Sequence, residues 1–213
     1  MKLFLDTANI DQVAEAASLG VLDGVTTNPS LVLKEGKDFK ETVLKMCEWV
    51  QEVSAQVTAT DFEGMKVQAL EYAGWHKHVV VKVPMTTEGL KTVKYLSSKD
   101  IKTNVTLVFS VPQAIMAAKA GATMISPFVG RLDDIGENGM QLIADILEAW
   151  KHYGFATQVL VASVRHPDHV IQAAKLGAHI CTIPYAVFQE LSKHPLTDAG
   201  LKRFMDDWEK FGK

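Results

Sequence analysis

Residues 79–86 read VVVKVPMT, a lysine set into a run of valines. A run this apolar reads as a strand buried on both faces, as in parallel sheets, and lysine is among the residues least often buried there. Two uses of Lys82 fit. Its ammonium reaches water from a strand end along an apolar stem. Alternatively, burial lowers its pKa and leaves a neutral amine able to attack a carbonyl carbon. The resulting protonated imine would withdraw electrons and let a neighbouring C–C bond break. That chemistry needs a carboxylate or a held water to move protons, and cations for any anionic part of the substrate.

Such partners recur where other apolar runs end. Strands are expected at Lys2–Leu5, Gly24–Thr26, Ala55–Ala59, His78–Val83, Thr103–Val108, Thr123–Phe128, Gln158–Ala162 and His179–Thr182. Amphipathic patterns lie between them. They cover Ile10–Ser18 behind an Asn9 cap, Phe39–Val53, Gly139–Tyr153, and segments following Asp61, Thr87, Val111 and Pro167. Two more helical segments, about 185–192 and 196–211, part near Pro195. Eight strand–helix units in 213 residues predict an α/β fold, a closed (β/α)8 barrel over residues 1–213 as one domain. The extra C-terminal helix is expected over a barrel end or on a neighbouring subunit.

Barrel active sites sit at the C-terminal strand ends. The predicted ends deliver Asp6, then Thr26, Thr27 and Asn28, then Gln56, Thr58 and Thr60, then Lys82. Asn104 and Thr106 follow, then Ser126 with Arg131 beyond it, then Ser163 and Arg165; the eighth end gives little that is charged. Gln56, Asp6 and Thr106 are candidates to hold a proton-carrying water. Ser163 and the two arginines suit a phosphate. Each residue has a local alternative. Asp6 suits a helix cap, Thr26 to Asn28 a turn before Pro29, and Gln56 a hydrogen-bonded core amide. Arg131 and Arg165 suit surface pairs with Asp133, Asp134 or Asp168. What favours chemistry is that all of them fall at one predicted end of the barrel.

Composition narrows the remaining classes. The net charge is −3, with no basic tract, so no nucleic-acid partner is expected. No window of about 18 apolar residues exists to span a membrane, and MKLFLDTANI lacks a signal-peptide core, so a cytoplasmic protein is expected. Cys47 and Cys181 read as separate buried thiols. His76 with His78, and His166 with His169, lack the carboxylate spacing of a metal site. No Gly-rich phosphate loop follows any strand. Neither metal nor organic cofactor is expected.

Seven segments in order carry a resemblance to a known family: FLDTAN (4–9), GVTTNPSL (24–31), VVKVPMTTEGL (80–90), IKTNVTLVFS (101–110), ISPFVGRLDD (125–134), VASVRHPDHV (161–170) and KHPLTDAGLKRFMDDW (193–208). The chain resembles the small transaldolases, in the family that also holds fructose-6-phosphate aldolase. The resemblance implies that Lys82 forms the Schiff base and Asp6 handles protons. It assigns donor hydroxyls or lysine orientation to Asn28 and Asn104, water holding to Thr106, and the dihydroxyacetone site to Ser126. Arg131, Ser163 and Arg165 would take the sugar phosphate. It also implies rings of subunits, pentamers or decamers, with the C-terminal helix on a neighbour.

The family's transaldolases carry glutamate on the third strand and phenylalanine in SPFVGR. Its aldolases carry glutamine and tyrosine at those places. Gln56 and Phe128 take one from each pattern. The remaining motifs read as transaldolase, moving dihydroxyacetone from fructose 6-phosphate or sedoheptulose 7-phosphate to an aldose phosphate in the pentose phosphate pathway. The alternatives are an aldolase releasing free dihydroxyacetone and a non-catalytic barrel that binds sugar phosphates.

Overall fold

The structure is a computed structural model and describes residues 1–211; the last two residues of the expected domain lie outside it. Eight parallel strands pair in chain order and close on themselves. They are β1 (Lys2–Asp6), β2 (Gly24–Thr26), β3 (Glu52–Gln56), β4 (Val79–Pro84), β5 (Thr103–Val108), β6 (Met124–Pro127), β7 (Gln158–Val161) and β8 (Ile180–Ile183). The helices are α1 (Ile10–Ser18), α2 (Pro29–Glu35), α3 (Phe39–Met46), α4 (Phe62–Ala73), α5 (Thr87–Ser97), α6 (Val111–Ala120), α7 (Val129–Asp133), α8 (Gly139–Tyr153), α9 (Pro167–Leu176), α10 (Tyr185–Glu190) and α11 (Pro195–Phe211). The fold is a (β/α)8 barrel with an added C-terminal helix.

Local chemistry starts most of the helices. Asn9, Asn28, Asp38, Asp61, Thr86, Ser110 and Asn138 each accept a backbone N–H of the first helical turn. Each such cap is worth about 1 kcal/mol. Outward strand residues such as Val25, Val53, Val81, Val105, Ile125 and Val159 then meet apolar helix faces. On α8 that face is Leu142, Ile143, Ile146, Leu147 and Trp150, each burial worth about 1.5–3 kcal/mol. Trp150 satisfies its indole by donating to the Thr157 carbonyl at 2.7 Å.

The third strand differs from expectation. It spans Glu52–Gln56 rather than Ala55–Ala59, and α3 stops at Met46 instead of running to Val53. The strand was hidden because its inward positions, Glu52, Ser54 and Gln56, are all polar. Register fixes it: Glu52 pairs with Gly24 and Gln56 with Lys82. Thr58 therefore leaves the sheet, and its N–H and hydroxyl both bind the Gln68 side chain of α4. The short helices α2 and α7 were likewise not expected from periodicity.

The barrel interior is layered. At its N-terminal end Glu52 accepts from Lys2 at 2.8 Å and from Lys102 at 3.2 Å. Above lies an apolar floor of Phe4, Val80, Met124, Leu160 and Ile180. Gly24 makes room for it, since a Cβ there would meet the Phe4 ring at 2.5 Å and the Glu52 carbonyl oxygen at 2.7 Å. The polar layer that includes Lys82 sits on this floor. Helix α11 buries none of its residues, so it does not close a barrel end in this chain. Among the described residues, no helix is long and apolar enough to cross a membrane.

Candidate active site

Lys82 occupies β4 near its C-terminal end and is 4% exposed. Its Nζ donates to the Thr27 carbonyl at 3.0 Å, across the barrel towards β2. Burial holds its pKa below the ordinary lysine value, the Asp6 carboxylate opposes that shift, and Arg131 adds to it. Burial outweighs the single carboxylate, so the neutral amine is favoured relative to a lysine in water.

Two hydrogen-bonded chains hold the polar layer. On the β1 side the Thr26 hydroxyl donates to Asp6 Oδ1 at 2.7 Å and lies 2.7 Å from the Thr182 hydroxyl. Thr26 has one proton and gives it to Asp6, so Thr182 donates to Thr26. On the β5 side Ser126 donates to Asn104 Oδ1 at 2.7 Å, and Asn104 Nδ2 donates to Ser54 at 3.1 Å. That chain fixes which way the buried Asn104 amide faces. Asn28 caps α2 through its Oδ1, which accepts from the Leu31 N–H.

The cationic end is built by α7 and the loop after β7. The first amides of α7 are already used: Val129 and Gly130 donate to the Ala162 and Ser163 carbonyls. The Arg131 and Arg165 side chains also line the cleft at this end. Arg131 lies over the Phe128 ring, 5.1 Å from its centre. Phe128 also packs on the interior floor. Arg165 donates from Nη2 to Asp134 at 2.8 Å, an exposed pair. Gly130 permits this closeness, because a Cβ would overlap the Ser163 carbonyl and lie 2.6 Å from Arg165 Nε. Ser163 adopts φ +60°, a left-handed conformation costing a non-glycine residue about 1–2 kcal/mol. A similar departure at Leu107 (φ +61°) accompanies the register shift of β5 between Thr106 and Val108.

One cleft of about 200 Å³ joins Asp6, Asn28, Lys82, Ser126, Phe128, Arg131, Ser163 and Arg165. Three expected residues do not line it. Asn104 lies behind Ser126. Thr106 is buried, with Pro84 and Ser126 as its register partners. Gln56 is the register partner of Lys82, yet it lines a different cleft. That second cleft, about 370 Å³, is bounded by α2, Phe39, Thr58 and Tyr72 and is mostly apolar; of its lining residues Lys37 alone is ordinarily charged. It is the larger of these two clefts, yet the convergent ionisable groups select the smaller one.

Sequence reasoning passed over Thr182 because it carries no charge. Its position at the end of an apolar strand, ICTI, was the available signal. It also missed the pair His169 and Asp133, which joins α9 to α7 at 3.1 Å. Among the described residues, no group of three or more His, Cys, Asp or Glu side chains is placed to hold a metal ion.

Comparison with known proteins is consistent across the chain's length. The family described as Transaldolase/Fructose-6-phosphate aldolase matches residues 3–213. A "Probable transaldolase" of Anaeromyxobacter dehalogenans (strain 2CP-C) is 58% identical, over 100% of this chain and 99% of that protein. Proteins of the same description from Thermoanaerobacter sp. (strain X514) and Syntrophobacter fumaroxidans (strain DSM 10017 / MPOB) are 57% and 59% identical, again over 100% of this chain and 99% of theirs. Among solved structures, thiamine phosphate pyrophosphorylase from Pyrococcus furiosus superposes with a TM-score of 0.60 at 16% identity, covering 87% of this chain and 86% of that one. At that identity the likeness concerns the fold alone.

Proposed function

Because the chain belongs to the transaldolase/fructose-6-phosphate aldolase family, we propose that it transfers a dihydroxyacetone unit from a ketose phosphate to an aldose phosphate through a Schiff base on Lys82. The donors are fructose 6-phosphate or sedoheptulose 7-phosphate, and the pathway is the non-oxidative pentose phosphate branch. One observation carries this reading: a buried amine shares a cleft with one carboxylate and, at the other end, two arginines.

The Lys82 amine attacks the C2 carbonyl of the donor, and the carbinolamine loses water to give the imine. Removal of the C4 hydroxyl proton then breaks the C3–C4 bond. The aldose phosphate leaves, and the electron pair stays on the dihydroxyacetone fragment as an enamine. The enamine carbon adds to the acceptor aldehyde, whose oxygen takes a proton, and water hydrolyses the new imine. Asp6 is the carboxylate of the cleft that can carry these protons. Thr182 and Thr26 orient it by donating towards it.

Asn28 and Ser126 face the donor hydroxyls, with Asn104 setting Ser126. Gln56 and Thr106 support a water from outside the cleft wall rather than contacting substrate. Phe128 carries Arg131, and Arg131, Ser163 and Arg165 hold the phosphate. The chemistry assigned to these residues uses no metal or organic cofactor.

The deciding experiment measures glyceraldehyde 3-phosphate formed from fructose 6-phosphate, with and without erythrose 4-phosphate. Product only with acceptor supports transfer. Product without acceptor, matched by free dihydroxyacetone, supports an aldolase, the second reading, which Gln56 favours. A non-catalytic barrel would bind the sugar phosphate and give no borohydride-trapped adduct on Lys82.

The protein is further proposed to be one cytoplasmic domain that assembles as a ring of copies. Leu201, Phe204, Met205 and Trp208 form an exposed apolar stripe on α11, of the kind that packs on a partner. Sedimentation mass with and without residues 195–213 tests this.

A further inference from the structure

Behind the phosphate end lies a chain of contacts that joins three elements. The Arg165 backbone N–H donates to His169 Nδ1 at 3.3 Å. On the opposite edge of the ring, His169 Nε2 lies 3.1 Å from Asp133 Oδ2. Asp133 Oδ1 accepts the N–H of Gly139 at 2.9 Å, which anchors it to the start of α8. The next residue, Asp134, holds the Arg165 guanidinium. So the main chain of Arg165 hangs on the imidazole, and its side chain on the neighbouring carboxylate.

The contacts settle the tautomer. Nδ1 must offer a lone pair to an N–H, and Nε2 must carry the proton that meets the carboxylate. The ring is buried and has no room for a second proton on Nδ1 while Arg165 donates there. From these contacts we propose that His169 is a positioning residue for the phosphate grip: neutral, it holds the Arg165 main chain in its binding position, and protonated, it releases it. This rests on the reading above, in which Arg165 meets the substrate phosphate. The consequence is a split between the two ends of the cleft. Protonation of His169 weakens binding of phosphorylated ligands and leaves the chemistry at Lys82 unchanged.

The charged surroundings agree. His166, the residue just before α9, lies against His169, with ring centres 3.9 Å apart and planes tilted by 37°. Burial and His166 lower the His169 pKa, while Asp133 and Asp168 oppose them. The neutral, holding form therefore prevails at neutral pH, and release falls below the ordinary histidine range.

Two measurements test the proposal. The first is the His169 pKa in the wild-type protein, read from imidazole NMR shifts with and without saturating inorganic phosphate. Linkage is reciprocal: if phosphate needs neutral His169, phosphate must lower its pKa. Simple attraction between a bound anion and an imidazolium would raise it instead. A lowered pKa supports the proposal, and an unchanged or raised one overturns it.

The second compares KM for fructose 6-phosphate and for fructose across three variants. His169→Gln keeps a donor for Asp133 but offers Arg165 no acceptor, and should raise KM for the phosphorylated sugar about fivefold. Its kcat, and KM for fructose, should stay within about twofold of wild type. His169→Asn places an oxygen where Nδ1 was and should restore KM. Equal KM in wild type and His169→Gln, or a parallel loss on both sugars, would overturn the positioning role. Arg165→Ala separates the two levels. If it raises KM for fructose 6-phosphate while His169→Gln does not, the phosphate reading stands and this proposal falls. If it leaves KM unchanged, both fall.

Discussion

The two ends of the barrel handle buried charge in opposite ways. At the N-terminal end Glu52 is matched by two lysines, and although burial alone would raise its pKa, Lys2 and Lys102 bring it below the ordinary value. At the C-terminal end Lys82 has a carbonyl oxygen for a hydrogen-bond partner, and its pKa falls. One end makes its charge permanent, and the other makes its charge removable. A permanent, paired charge serves stability and cannot act as a nucleophile. A removable one costs stability and gains reactivity. The lysine is thus informative not for being buried but for being buried without a full counter-charge.

The most severe way to break the contrast is to remove the removable charge. Lys82→Met should lower turnover by about a thousandfold or more and abolish the borohydride-trapped adduct. Its thermal midpoint should be no lower than wild type, because an apolar chain replaces a poorly compensated amine. A lower midpoint would mean that Lys82 holds the barrel together.

Next in size is the matched end. Glu52→Ala should cost about 1–3 kcal/mol at neutral pH, read from denaturant midpoints, and spare the activity of the folded enzyme. The pH dependence has a definite sign. Folding lowers the Glu52 pKa from its ordinary 4.5, so its contribution is complete above that value and fades as pH falls through the folded one. The variant's stability should therefore decline less steeply below about pH 4.5 than the wild type's. Parallel acid limbs would refute the pairing.

Smaller effects sharpen the reactive end. Gln56→Glu puts a carboxylate beside Lys82 in register. It should raise transfer activity, by no more than about tenfold since Asp6 already lines the cleft; unchanged or lower transfer would show that the shuttle is not limiting. Smallest is Phe128→Tyr, expected to shift the product ratio about twofold towards free dihydroxyacetone while leaving Lys82 trapping intact. An unaltered ratio would remove Phe128 as the determinant.

Legibility followed contrast with surroundings. Lys82 stood out because valines surround it, and Asp6, Ser126 and Arg165 stood out as polar groups closing apolar runs. The third strand was misplaced for the opposite reason. A barrel interior that is polar at Glu52, Ser54 and Gln56 reverses the usual sense of burial, so Glu52 reads as the end of a helix and the strand is placed three residues late. Helices α2 and α7 span seven and five residues, too few for a 3.6-residue period to emerge. The His169–Asp133 contact joins residues far apart in sequence, and the linear pattern offered each a different partner, His166 for one and an arginine for the other. What topology creates, a linear pattern does not display.

The apolar floor under Lys82 has a further consequence, for proton traffic. Phe4, crossing the barrel above Gly24, seals the matched end from the reactive one. Protons cannot percolate along the barrel axis through Met124, Leu160 and Ile180. Every proton gained or lost by Lys82 must then pass through the open mouth of the cleft. On the proposed reading, in which a sugar phosphate binds there, the bound sugar would act as a stopper, and the protons exchanged during a turnover would be those enclosed with it.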